Sequence, residues 1–276
     1  MTDTVLRLYP QPSKEEPLEG LYLGHDLRAA VSGEHKAYVY SNYVTSLDGR
    51  IAVPHPAKSG LVVPENVANA RDWRLFQELA IQADLLITSG RYLRDYADGR
   101  AQEILTVYDE PRFADLVSWR KQRGLSARPD MVVISGSLDF PIPSALTQGG
   151  RRVSVVTAHS ADPKRVKIIQ EQAGSVLFAG DSAVTGEGLL EVLMGAGYRI
   201  IYNTTGPKVL HLLLAAGQLQ RLYLTTVSRA LGGNPFSSIV EGELLQPPAD
   251  FNLNSHYFDH HGPDGLGQLF SSYKSE

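Results

Sequence analysis

Between Asp84 and Thr204 the chain alternates short apolar stretches, DLLIT, DMVVIS, RVSVVT, SVLFA and YRIIYNT, with segments that are mostly of helical period. That alternation constrains the fold more than any other feature. Short continuous apolar runs are buried on both faces, and runs separated by helices pair as parallel strands. The intervening segments carry helix punctuation: EPRFADLVSWRKQRG has Pro111 near its start and Gly124 at its end, and DPKRVKIIQEQAG and GEGLLEVLMGAG follow the same logic. An earlier helix is predicted over VPENVANARDWRLFQELAIQA, where Val67, Ala70, Leu75, Leu79 and Ala83 recur every three to five residues. A sheet of this kind carries its ligand at the carboxyl ends of its strands.

The two ends of the chain differ from this middle. Residues 1 to about 35 read as an irregular arm, because Pro10, Pro12 and Pro17 fall among charged residues and interrupt any helical period. A β-branched and aromatic strand follows, YVYSNYVTSLDGRIAV, and it finishes in the polar residues Asn42, Thr45, Ser46 and Asp48. From Leu219 onward, LQRLYLTTVS, SHYFD and LGQLFSSYK follow one another with turns between them, which predicts antiparallel strands. The expected architecture is therefore one α/β domain over 36–276, with helices on both faces of a mixed, mostly parallel sheet and antiparallel strands at its C-terminal side.

With 276 residues the chain can bury a substantial core. Its 43% hydrophobic and 20% charged residues, with no long apolar run, give the expectation of a soluble protein without a membrane span. The polar, Pro/Glu-rich N-terminus does not read as a secretory signal, so a cytoplasmic location is expected. The absence of cysteine excludes a disulfide framework, a thiolate nucleophile and a Cys-ligated zinc site. A formal net charge of −4 argues against nucleic acid as partner. A small-molecule substrate becomes the default.

Local motifs narrow the chemistry. There is no Walker A sequence, no His-Glu-x-x-His and no Gly-x-Ser-x-Gly elbow. GDSAVTGEG, Gly180 to Gly188, reads as a loop and helix entry rather than a phosphate loop. His256, Asp259, His260 and His261 read as a solvated turn before the last strand, and no metal is expected there. YNTTGPKVL is more informative. A strand breaks into Asn203, Thr204, Thr205, Gly206 and Pro207 before the helix KVLHLLLAAG, and a helix N-terminus with hydroxyls beside it is a plausible pyrophosphate cradle.

Three separated stretches together resemble the pyrimidine reductases of riboflavin biosynthesis, a dihydrofolate-reductase-like family. SNYVTSLDGRIAV resembles the family's first strand, which runs into Ser/Thr-Leu-Asp-Gly-Arg/Lys-Ile-Ala, and MVVISGSLDFPIP is similar to its next recognisable strand and turn. The stretch from GLLEVLMGAGYRIIYNTTGPKVL through LYLTTVSRALGG to LFSSYK looks like the family's Glu-Gly-Gly-Pro turn, helix, strand, Leu-Gly-Gly loop and closing strand. The likeness covers roughly residues 36 to 273. Three departures stand out. Asn42 replaces a common Lys, Asn203 or Thr204 replaces the Glu with only Gly206 left of the paired glycines, and Thr88-Ser89-Gly90-Arg91-Tyr92 replaces Val-Gly-x-Gly-Thr. The Pro-Cys-x-x-Cys of the deaminase that often accompanies the reductase is absent from this sequence.

The resemblance implies a dihydrofolate-reductase-like fold, NADPH as cofactor, and hydride transfer to a small polar substrate. The first choice is 5-amino-6-(5-phosphoribosylamino)uracil, whose ribose is reduced to ribityl. It implies Asn42, Thr45 and Asp48 at the substrate, Ser89, Gly90, Arg91, Ser135, Gly136 and Thr157 on the adenosine phosphate side, and Thr205 and Gly206 at the pyrophosphate. One alternative is reduction of dihydrofolate or another pteridine, with Asp48 supporting a protonated ring nitrogen. Another is a non-catalytic ligand-binding or interaction paralogue whose altered turns fill the groove. A homodimer is expected through the late strands, whose edge needs a partner unless the arm covers it.

Overall fold

Strands and helices alternate along the chain much as the apolar periodicity predicts, in a computed structural model that describes residues 3–31, 37–56, 58–173 and 175–276. The first elements are β1 (Thr4–Tyr9), β2 (Lys14–Pro17), β3 (Tyr38–Ser46), the hairpin β4 (Val53–His55) and β5 (Lys58–Val62), and α1 (Ala70–Gln82). Then come β6 (Leu85–Ser89), α2 (Gly90–Ala97), α3 (Ala114–Gln122), β7 (Asp130–Ile134), β8 (Val153–Thr157), α4 (Pro163–Ala173) and β9 (Val176–Phe178). The last are α5 (Gly186–Gly195), β10 (Ile200–Asn203), α6 (Pro207–Ala215), β11 (Arg221–Val227), β12 (Phe251–Asp259) and β13 (Gln268–Ser275).

Two compact units share these elements, where the sequence suggests one domain. One unit is built from Leu27–Tyr38 and Leu79–Thr205. Its strands β10, β6, β7, β8 and β9 lie in that order, and every neighbouring pair is parallel. Leu85, Leu86, Ile87, Met131, Val132, Val133, Val155 and Val156 are fully buried, as continuous apolar strands require. Ser89 caps α2 and Thr185 caps α5, so GDSAVTGEG is indeed a loop and helix entry.

The other unit comprises residues up to Asp26, Val39–Glu78 and Gly206–Glu276. Its strand order is β2-β1-β12-β13-β11-β3. All neighbours are antiparallel except β11 and β3, which run parallel with Asn42 opposite Tyr223 and Thr45 opposite Thr226. The predicted long helix starts only at Ala70, because Pro64 to Val67 form a turn and Asn69 Oδ1 accepts from the Asp72 amide at the helix entry.

The N-terminal segment corrects the sequence reading. Residues 4–9 and 14–17 are strands, and Pro10 and Pro12 occupy the connection between them. β1 pairs antiparallel with β12, with Leu6 opposite Phe258 and Arg7 opposite Tyr257. The edge on which a homodimer was expected is thus covered by the chain's own segment. The strand left outermost, β2, is short and carries Lys14, Glu15, Glu16 and Pro17, the residues that discourage pairing with another chain. Among the described residues no helix is long and apolar enough to cross a membrane.

Candidate active site

At the carboxyl end of β3 the polar residues are tied to a loop nearly two hundred positions away. The Asp48 carboxylate accepts from the Ser46 hydroxyl at 2.5 Å, the Gly232 amide at 2.8 Å, the Leu231 amide at 3.2 Å and Arg50 Nη1 at 2.6 Å. Those donors, the Ser46 hydroxyl foremost, hold its pKa well below the usual carboxylate range. Arg50 continues the tie by donating to the Gly233 carbonyl and lying 4.3 Å over the Phe236 ring. Ser-Leu-Asp-Gly-Arg and Leu-Gly-Gly are therefore one lock. Thr45, buried, donates to the Ser46 carbonyl, and Asn42 is half-buried.

Sequence reasoning missed the carboxyl that the same unit buries. Asp72 stands in the first turn of α1, and Thr225 Oγ1 at the carboxyl end of β11 donates to its Oδ1 at 2.6 Å. Thr225 is opposite Val44 in the β3 register, two residues along from the Asn42 and Tyr223 pair. Burial lifts the Asp72 carboxyl to about 6, against the opposing pull of the Thr225 hydroxyl. An Asp in a helix's first turn is ordinary dipole chemistry, so the sequence offers no signal. Only the pairing across 153 residues reveals it.

The parallel unit gathers the expected cofactor residues at the carboxyl ends of its strands. Ser89 ends β6 and accepts from the Tyr92 amide; Ser135 follows β7 and accepts from the Leu138 amide. Gly90 is the first residue of α2, where a turn was expected, and a Cβ there would lie 2.6 Å from the Phe140 ring. Gly136 has open space in the Cβ direction. Arg91 is largely exposed and lies 3.6 Å from Asp95. Thr157 ends β8 fully buried, and its Oγ1 has no hydrogen-bond partner among the described residues. An orphaned hydroxyl on a strand end fits a polar ligand there.

The altered turn after β10 is held by its own side chains. Asn203, fully buried, accepts from the Thr205 hydroxyl at 2.7 Å and the Thr205 amide at 3.2 Å, while the Thr204 hydroxyl donates to the Ile87 carbonyl at 2.8 Å. An Asx-type turn stands where glycines would otherwise supply the conformation. Gly206 then precedes Pro207 at the start of α6, with open space in its Cβ direction.

The family model of the RibD C-terminal domain matches residues 37–262. The chain belongs to this family. Solved structures of the same fold include a pyrimidine reductase-like protein from Corynebacterium diphtheriae (18% identity over 88% of this chain and 93% of that one, TM-score 0.62). The riboflavin biosynthesis reductase of Saccharomyces cerevisiae is similar at 16% identity over 93% of this chain and 99% of that one, TM-score 0.58. RibD from Acinetobacter baumannii matches at 13% identity over 91% of this chain and 61% of that one, TM-score 0.59. No curated protein matches the sequence. Membership makes the chain a reductase of the riboflavin-pathway type, and the first strand motif that carries the resemblance is the lock described above.

Around the C-terminal histidines, Asp259 and His256 make contacts within the fold. Asp259, fully buried, accepts from Arg71 Nε and Gln268 Nε2, each at 2.7 Å, and from the His261 amide. His256 pairs with the Ser271 hydroxyl at 2.8 Å.

Proposed function

We propose that the chain reduces 5-amino-6-(5-phosphoribosylamino)uracil with NADPH, with Asp72 as proton donor. The observation that supports it is a buried, protonatable carboxyl beside the motif strand of a reductase family. Converting a ribosylamine to a ribitylamine adds one hydride and one proton, so the site needs an acid near neutral pH. Bound at the strand ends, the reduced nicotinamide supplies the hydride. The residues proposed to hold its phosphates and adenosine are Ser89, Gly136, Ser135 and Thr157, with the Gly206 end of α6 at the pyrophosphate and Thr205, both of whose donors are engaged by Asn203, shaping the turn before it.

The chain's own residues do the rest. Thr225 fixes Asp72 through Oδ1, which leaves Oδ2 to carry the proton. Asn42 and Thr45 are proposed to orient the polar substrate. Asp48 is reassigned: its carboxylate is fully engaged in holding Leu231 and Gly232, so it shapes the pocket wall and does not support a ring nitrogen. The alternative in which the altered turns fill the groove is not favoured at the turn after β10, where the hydroxyls of Thr204 and Thr205 are directed to protein acceptors. With β12 covered, a monomer is the assembly proposed.

Titration of the protein with NADPH and NADH, followed by turnover with the ribosylaminouracil phosphate, tests the reading. Saturable NADPH binding and substrate-dependent loss of nicotinamide absorbance are expected; binding of neither nucleotide overturns it. A pteridine reductase would need the same acid, and complementation of riboflavin- and folate-deficient strains separates the two.

A further inference from the structure

The family match starts at residue 37, yet the segment before it is built into the unit that holds Asp72. Three anchors fasten it. Arg71, the residue before Asp72, donates to Asp3 and to the Thr4 carbonyl while its Nε holds Asp259. Glu78, fully buried on α1, accepts from the amides of Gly20 at 2.6 Å, Tyr22 at 2.8 Å and Leu23 at 3.3 Å, and from Arg74 Nε at 2.8 Å. His25 Nδ1 lies 3.0 Å from the Tyr223 hydroxyl.

These anchors place one aromatic ring. Tyr22 is 2% exposed, its centroid lies 4.6 Å from that of Tyr223, and its phenol is near enough to feel the charges of Asp72 and Glu78. Tyr223 is two residues before Thr225 on β11, on the same face of the strand. The ring therefore stands against the wall to which Thr225 binds Asp72.

We infer that the N-terminal segment is the cover of the Asp72 site, with Tyr22 as the positioning residue that keeps water from the carboxyl. The acid that the family-matched region supplies is completed by a piece of chain outside that region. This rests on the role given to Asp72 above, but its test does not need turnover.

The charges around Asp72 favour the same conclusion. Titratable groups around the site are Tyr22 and His25 from the N-terminal segment, Arg74 and Glu78 from α1, Arg221 and Tyr223 from β11, Tyr257 from β12 and Lys274 from β13. Burial raises Tyr22 and Tyr257, so they keep their protons, and burial holds His25 near 3, so it is neutral. The Tyr223 hydroxyl accepts from Arg221 at 3.1 Å and is paired with His25 Nδ1 at 3.0 Å. Arg74 and Glu78 offset each other. The remaining charges, Arg221 and Lys274, are cations and would lower a carboxyl's pKa, so the raised value of Asp72 comes from exclusion of water.

The test is the titration of the Asp72 side-chain carboxyl by carbon NMR in the full chain, in wild type, Tyr22→Phe, Tyr22→Leu and Tyr22→Ala. The wild-type and Phe proteins are expected to titrate together near 6. Leu is expected to fall between, and Ala to drop toward the ordinary value of about 4. If Ala does not fold, Leu carries the comparison. A midpoint unchanged in a folded Leu or Ala variant, or a wild-type midpoint already near 4, overturns the inference. Failure of NADPH to bind would overturn the proposed function and leave this result standing, so the two are separable.

Discussion

The two units place their candidate residues by opposite routes. In the parallel unit the candidate residues lie at the carboxyl ends of parallel strands: Ser89, Thr157 and Asn203 end β6, β8 and β10, and Ser135 follows β7. In the mixed unit the working pairs are remote: Asp48 with Gly232, Asp72 with Thr225, Arg71 with Asp259. A parallel unit places ligand groups by geometry common to all such sheets. A unit assembled from three chain segments places them by side-chain contacts that no local pattern encodes. Cofactor chemistry should thus be robust to the exact side chains, and proton chemistry sensitive to single ones.

The largest effect expected from that contrast is at Asp72. Replacement with Asn, which keeps the shape and the Thr225 contact but cannot donate the proton, is predicted to lower kcat about 10²–10⁴-fold, with NADPH affinity unchanged. Wild-type activity should fall as pH rises through about 6, where the acid loses its proton, and the variant should lose that limb. Stability follows the same sign. Because the folded pKa is raised above the unfolded value of about 3.9, the contribution is fully present below that value and is lost as pH rises through about 6. Rate against pH for both proteins checks it; an Asn variant that keeps the wild-type profile would move the proton chemistry out of this unit.

How much could be read beforehand follows the same division. The strands from Leu85 to Asn203 were legible because both of their faces are apolar, and α3 to α6 because Pro, Thr and Gly punctuate them. α2 was not, since its N-terminus overlaps the turn suggested by Ser89 and Gly90, and in eight residues its apolar face is only Tyr92, Leu93, Tyr96 and Ala97, too short a run to establish a period. β1 and β2 were hidden by prolines that mark the bend between them. Asp48 was legible as a polar residue at the strand's end but not in its bonding, because its partners Leu231 and Gly232 offer only backbone amides. A fold is readable where periodicity is local; a lock or an acid becomes visible only when its distant partner is seen.

A middling effect is predicted at Gly90, where the parallel unit does depend on one side chain's absence. A Cβ there would lie 2.6 Å from Phe140 Cδ1 and 3.1 Å from Cε1, and the Phe140 ring is itself buried. Gly90→Ala should cost about 1–3 kcal/mol through overpacking, measured by urea unfolding. Adding Phe140→Leu should recover part of the loss, since it removes the atoms in conflict. No recovery in the double variant would mean that the glycine serves the ligand and not the packing.

The smallest change sharpens the comparison most. The Thr157 hydroxyl is buried without a partner among the described residues, and such a group is a net cost to the folded state unless a ligand uses it. Valine has nearly the same shape and no hydroxyl. Thr157→Val is therefore predicted to leave stability unchanged or raise it by up to about 1 kcal/mol, while weakening NADPH binding about tenfold, the worth of one hydrogen bond to a charged group. Calorimetric titration and thermal unfolding on the same sample read both quantities. A variant that is less stable would show that the hydroxyl is satisfied within the fold. One that binds NADPH as tightly as wild type would take β8 out of the cofactor row, leaving Ser89, Ser135 and the turn after β10 to carry it.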